Sequence, residues 1–321
     1  MHSMFSGVLA LLLLCGALAA QAEPAKVVVG SYVNKIQGLN FKDNKYTLDF
    51  FLWFRWKAEG ALANYKPLDS FELVNGYVES KGSIVEKKVG DMSYAAVRVT
   101  ATMSENWQLE KFPFDRHKIE VFVEDSNALA SDLVFVPDVV NSKLGDEIDL
   151  AGWTPSNFNA EVRAKVYHSN YGDPSLPTDA RSEFSRFALA MDLHRQSFGS
   201  AIKLLSTVLL ATAVAFVAFM VKPSDLDARF GMGVGALFAV AASAFIASSS
   251  VPDSGVMTTA DAMHMVALAF IFGTLLISAI CLKFEVSGRE ALAFRIDHIC
   301  VVLLPALFYG WAAYQVWRAL Y

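Results

Sequence analysis

The sequence predicts an exported all-β sandwich continuous with a bundle of four membrane-spanning helices. Three observations carry this expectation: an uncharged apolar leader, a middle segment with the mixed composition of a soluble domain, and four apolar runs after Gln196. The 321-residue chain is 54% hydrophobic, with a mean hydropathy of +0.37. That is high for a soluble protein and low for a wholly embedded one, and two halves of different character account for it.

The leader comes first. Residues 4–19 are apolar and uncharged, and Ala20-Gln21-Ala22 offers a small-x-small cleavage pattern, so residues 1–22 are expected to be a signal peptide. The run is short for a bilayer core of about 30 Å, which argues against a fifth span. The exported domain is then expected over 23–196 and the helical domain over 197–321.

Residues 27–33, 46–57, 94–103, 118–124 and 183–194 alternate in polarity or are rich in β-branched and aromatic residues. Asn, Gly, Asp and Pro punctuate them at 38–44, 113–115 and 169–177. Short strands in a domain of this size predict an antiparallel, immunoglobulin-like sandwich. Residues 23–196 hold no cysteine, because the three cysteines are Cys15, Cys281 and Cys300. No disulfide and no zinc site are therefore expected, nor any cofactor. Only Arg195-Gln196 stands between the sandwich and the first span, too short and too unlike Gly/Ser to be a flexible tether.

Spans are expected at about 198–221, 230–251, 262–282 and 299–317. The first and third connections carry Lys222, Arg229, Lys283, Arg289 and Arg295, whereas the second carries Asp253 and Asp261 and no Lys or Arg. The positive-inside rule puts the first and third in the cytoplasm, leaving the sandwich and the C-terminus outside. One face of the second span reads Gly231, Gly235, Phe238, Ala242, then Phe245 or Ile246, then Ser249. Small residues serve close helix packing. A polar end and one large ring on the same face equally suit a water-filled pore with an apolar constriction. Periodicity alone leaves both readings open.

Hydrolase, metalloprotease and phosphate-loop motifs are absent, so an enzyme is not expected. A net charge of −5 without a basic stripe argues against nucleic acid as a partner.

Lys111-Phe112-Pro113-Phe114-Asp115-Arg116 resembles the signature loop of pentameric ligand-gated ion channels, the Cys-loop receptor superfamily. Tyr32-Val33-Asn34-Lys35-Ile36 resembles the first-strand motif of bacterial members, and Glu183-Phe184-Ser185-Arg186 the last strand before the membrane. Arg229, a helix ending at Pro252, and then Thr258, Thr259 and Asp261 resemble the pore helix and the loop after it. Glu105 and Ile119 stand where the loop cysteines would be, as in bacterial members.

The resemblance implies a homopentamer in a bacterial inner membrane, surrounded by lipid, with the receptor domain in the periplasm. The second span would line the axial pore, with Phe238 at its gate. It also implies a small-molecule agonist held between neighbouring sandwiches. Glu124, Tyr167, Tyr171 and Phe184 would come from one subunit, and Phe51, Trp53 and Arg55 from the next, while Trp56 alternates toward the core. The expected agonist is a small cationic amine. Cations are the expected permeant ions, because Asp225 and Asp227 would form acidic rings below the pore helix. Coupling to the pore is implied for Asp115 with Arg195, and for Asp43 in the first hairpin.

Three positions depart from the family pattern: Ser126 replaces a usual site aromatic, the first span lacks an internal proline, and Gly231 and Gly235 replace hydroxyl residues. Two other readings fit the same chain: a receptor that changes shape without conducting, and a membrane-anchored periplasmic binding protein.

Overall fold

Alternation along residues 45–57 builds one wall of the sandwich. In the computed structural model, which describes residues 23–252 and 255–320, Tyr46, Leu48, Phe50, Leu52, Phe54 and Trp56 point inward and are buried. Thr47, Phe51, Trp53 and Arg55 point outward from the same strand and stay partly exposed. Each buried large apolar side chain contributes about 1.5–3 kcal/mol, so slipping this strand by one residue would exchange six core side chains for the outward-facing ones. The leader expected over 1–22 lies outside the described residues.

Among the described residues the sandwich has ten strands: β1 (Ala25–Asn40), β2 (Lys45–Lys57), β3 (Phe71–Leu73), β4 (Gly76–Val89), β5 (Met92–Ser104), β6 (Arg116–Asp125), β7 (Leu133–Pro137), β8 (Lys143–Leu144), β9 (Trp153–His168) and β10 (Arg181–Arg195). One sheet runs β4-β5-β2-β1-β7, with β8 also on β1; the other runs β3-β6-β10-β9. Pairing is antiparallel except where β7 and β8 join β1. Gly30 lies directly under the Trp53 indole, and a Cβ there would collide with the ring.

The sequence patterning missed the short strands β3, β7 and β8 and the long strands β4 and β9. Nearly every side chain of β4 is exposed, and β9 is largely exposed or half-buried, so neither carries the apolar alternation that marks a half-buried strand.

Four helices follow: α1 (Ser197–Val217), α2 (Leu226–Ser249), α3 (Thr259–Val286) and α4 (Glu290–Leu320). Each is long and apolar enough to cross a membrane. The protein is thus a two-part membrane protein, a β-sandwich on a four-helix bundle. α4 begins nine residues before the span expected at 299, and α2 already includes Arg229, which had been assigned to a connection. Both differences have one cause. Arg229 and Asp297 are buried, and the Arg229 guanidinium donates to both Asp297 carboxylate oxygens and to the Val221 carbonyl. Paired charges let these helical turns sit inside protein, where isolated charges would have marked a loop.

Removing one partner strands the other charge. Arg229→Ala should cost about 3–5 kcal/mol, whereas Arg229→Met with Asp297→Leu should recover most of that loss. Thermal unfolding midpoints in detergent check this; a double variant as weak as the single one contradicts it.

Candidate functional site

The signature loop sits where the sandwich meets the helices. An α-helix leaves its first amide groups without intrahelical acceptors. In α3 every one of them is accounted for. Thr259 N donates to the Glu110 carbonyl at 3.0 Å and Ala260 N to the Phe112 carbonyl at 3.1 Å. Thr258 N donates to the Asp261 carboxylate and Asp261 N to Thr258 Oγ1, a reciprocal capping box. Two of these four acceptors therefore belong to the sandwich. Phe114 adds an apolar contact, packing with Ala201 and Leu205 of α1, Met263 of α3 and Ala312 and Ala319 of α4.

Asp115 closes the loop. Arg195, the last residue of β10, donates Nε to Asp115 Oδ1 at 2.9 Å and a terminal nitrogen to Oδ2 at 3.1 Å. The Arg195 guanidinium also lies over Trp153 at 4.3 Å, Phe112 at 5.3 Å and Phe41 at 5.6 Å. His117 holds Asp115 Oδ2 from the other side at 2.5 Å. Burial pushes the Asp115 carboxyl upward, but the hydrogen bonds from His117 and Arg195 outweigh it and hold the group below its ordinary range. Asp43 is not part of this network. Its carboxylate accepts from Asn40 within its own exposed hairpin, because a short turn side chain satisfies its nearest backbone and side-chain neighbours first. His117 is a residue that sequence reasoning did not bring to this site, since nothing beyond its position two residues after Asp115 marks it.

The proposed ligand side chains fall on two faces. On the β3-β6-β10-β9 sheet, Tyr167 lies 5.7 Å from Phe184 and 6.3 Å from Tyr171, ring centre to ring centre. Tyr171 sits beyond β9 with a positive φ of 51° and is mostly exposed. Glu124 is not a free carboxylate. It is buried, accepts Arg186 Nε at 2.6 Å and receives the Tyr167 hydroxyl at 3.2 Å. Arg186 in turn donates to the Tyr167 oxygen at 2.7 Å and lies over Phe122.

Sequence reasoning overlooked Glu72. It pairs directly across from Glu124, so both side chains share the outer face of the sheet. Among the described residues no cation pairs with it. Burial, then repulsion from Glu124 and Asp125, raises its pKa above the usual carboxylate value. The acids here outnumber the single guanidinium.

On the other sheet, Phe51, Trp53 and Arg55 line the outward face of β2. Trp53 Nε1 and Arg55 both donate to the buried Asp138, at 3.1 and 2.8 Å. The two faces do not meet within one chain. Trp56 is in the core. On α2, Arg229, Gly233, Ala236, Val240, Ser243 and Ala247 are buried against the other helices. Gly231, Gly235, Phe238, Ala242, Phe245, Ile246 and Ser249 are exposed, Phe238 by 73%. Among the described residues no cluster of His, Cys, Asp or Glu side chains could hold a metal ion.

Asp115→Asn leaves Arg195 without its counter-ion, and the expected loss is about 3–5 kcal/mol near neutral pH. A carboxylate depressed on folding stabilises above its unfolded pKa of about 3.9 and stops doing so as pH falls through the lower folded value. Unfolding midpoints of parent and variant should therefore differ at neutral pH and converge only below about pH 4. Convergence already near pH 6 contradicts this placement of Asp115.

No known family model matches the sequence. The chain is similar to a proton-gated ion channel from Gloeobacter violaceus (strain ATCC 29082 / PCC 7421), 20% identical over 303 residues, which span 89% of this chain and 81% of that protein.

Proposed function

We propose that this chain is one subunit of a homopentameric ligand-gated ion channel in a bacterial inner membrane, its sandwich facing the periplasm. The observation that carries the reading is the seating of the signature loop. A sandwich loop that supplies acceptors to α3 and fills the outer end of the bundle with Phe114 passes any sandwich movement to the helices. Similarity to an ion channel over most of the chain supports the same reading.

α2 lines the pore in this account. Its exposed face is small and ends in serines, with Phe238 as the large apolar ring at mid-helix. Five such rings around an axis form a constriction that dewets. Arg229 turns into the bundle to meet Asp297, so it does not neutralise Asp225 and Asp227 at the cytoplasmic mouth, which favours cations.

The agonist site forms between the Tyr167 face of one subunit and the Phe51–Trp53–Arg55 face of the next. Since Arg186 takes Glu124, the charge that recruits a cationic amine is Glu72, with Tyr167 and Phe184 as ring walls. A charged contact of about 1.5–3 kcal/mol corresponds to roughly tenfold or more in affinity. Glu72→Gln should weaken an activating amine by that factor. Amine affinity should also fall with acidity above the ordinary carboxylate range, because the Glu72 pKa is raised.

Purified protein in planar lipid bilayers tests the function itself. The parent should conduct cations, and Phe238→Ser should leak at rest, because a polar ring keeps the constriction wet. A correctly assembled pentamer that carries no current in either form points to a non-conducting receptor and rejects the proposal.

A further inference from the structure

The buried carboxylates among the described residues are Asp49, Asp115, Glu124, Asp125, Asp138 and Asp297. All but Asp125 meet an arginine: Asp49 meets Arg98, Asp115 Arg195, Glu124 Arg186, Asp138 Arg55 and Asp297 Arg229. Asp125 is 3% exposed and is held by neutral groups instead. Its Oδ2 accepts the Tyr65 hydroxyl at 2.8 Å and the Ser70 hydroxyl at 2.6 Å. Its Oδ1 accepts the Asn127 amide at 2.9 Å. A carboxylate offers about four acceptor sites, so Oδ1 has capacity for a further donor. Burying a charge is costly, and an opposite charge offsets that cost better than neutral dipoles do.

Asp125 stands in the wall of a cavity of about 360 Å³. The cavity lies at the end of the sandwich away from the helices, where Leu133 pairs with Ala25 at the start of β1. The far end of β1 leads into the hairpin of Lys42 and Asp43, which lies beside the α2–α3 connection. Leu62, Ala128, Leu133 and the Tyr65 ring give the cavity an apolar wall. Its charged lining is Asp69, Asp125 and Asp132 against Lys66. Lys66 is exposed and forms no ion pair among the described residues. Volume and wall suit a compact organic body rather than a bare ion, with few polar groups to orient it.

This cavity is separate from the Tyr167 face. Successive residues of a strand point to opposite sides of its sheet. Glu72 and Glu124 pair across β3 and β6 on the outer side, whereas the adjoining pair, Phe71 and Asp125, turns inward, with Phe71 in the core. Every lining residue belongs to one chain.

We infer that this cavity binds a small organic ammonium, its charge at Asp125 and its apolar body against Leu62, Ala128 and Leu133. The ammonium donates to Asp125 Oδ1 and supplies the positive charge that an arginine supplies to each of the other buried carboxylates. Asp69 and Asp132, both exposed, draw cations toward the mouth. The site does not depend on the channel reading, because no neighbouring subunit completes it.

Titration calorimetry on full-length protein in detergent tests this with benzylamine and with benzyl alcohol, an uncharged ligand of nearly the same size. Glu72→Gln protein is titrated in parallel to set aside the Tyr167 face. Parent and Glu72→Gln should both bind benzylamine roughly tenfold or more tightly than benzyl alcohol, and Asp125→Asn should remove that preference. Benzyl alcohol binding as tightly as benzylamine, unchanged benzylamine binding in Asp125→Asn, or no binding to the parent overturns the inference. Benzylamine binding that disappears in Glu72→Gln alone belongs to the Tyr167 face; it supports the agonist reading and overturns this one. If Asp125→Asn does not assemble, Ala128→Phe decides, because it fills the cavity without replacing any partner of Asp125. Loss of benzylamine binding there supports the inference, and unchanged binding overturns it. Absence of current in bilayers would reject the channel reading while leaving the calorimetry to judge the cavity.

Discussion

A helix cannot satisfy its own first amide groups, and at the start of α3 two of the four are satisfied by carbonyls of the sandwich. This constraint organises the junction. Residues 110–112 must stay close enough to the start of α3 to keep bonds of about 3 Å, and Phe114 must then enter the bundle. Asp115 follows directly and meets Arg195, where β10 runs without a tether into α1. Val251, just beyond α2, packs against the sandwich's hydrophobic cluster. With Ala312 and Ala319 of α4 in the Phe114 cluster, all four helices are held to the sandwich near their outer ends, and rigid-body movement of one half is felt by the other.

Polar groups at depth follow one rule throughout the chain. Each buried charge has a partner whose position defines an architectural contact: Asp115 with Arg195 at the junction, Glu124 with Arg186 in the outer sheet, Arg229 with Asp297 at the far end of the bundle. Breaking such a pair is expensive, while its net contribution against an apolar alternative is small. These pairs are best understood as fixing which segments meet. Glu72, by contrast, is exposed: an acid with no paired cation among the described residues, across from the Glu124 carboxylate that the Tyr167 hydroxyl reaches.

Legibility in the sequence tracked burial. Strand β2 and the four spans were readable because one face or the whole segment is apolar. β4 and β9 were not, because solvent on much of their surface leaves no alternation to read. The onset of α4 was obscured because Arg295, Asp297 and His298 look like a loop until Asp297 is paired with Arg229. In the site, the signature loop and the Tyr167–Phe184 rings could be named from motifs. The neutralisation of Glu124 by Arg186, the role of Glu72 and the place of His117 depend on cross-strand register, which residue types alone do not encode.

The claim on which the rest depends is that the sandwich supplies the acceptors for α3. Hydrogen–deuterium exchange at Thr259 and Ala260, in full-length protein embedded in lipid nanodiscs, measures this directly. The account predicts that both amides are protected in the parent and lose protection together with residues 110–115 when Asp115 is replaced by Asn. Free exchange at Thr259 and Ala260 in the parent, or protection that survives while residues 110–115 open, would contradict it.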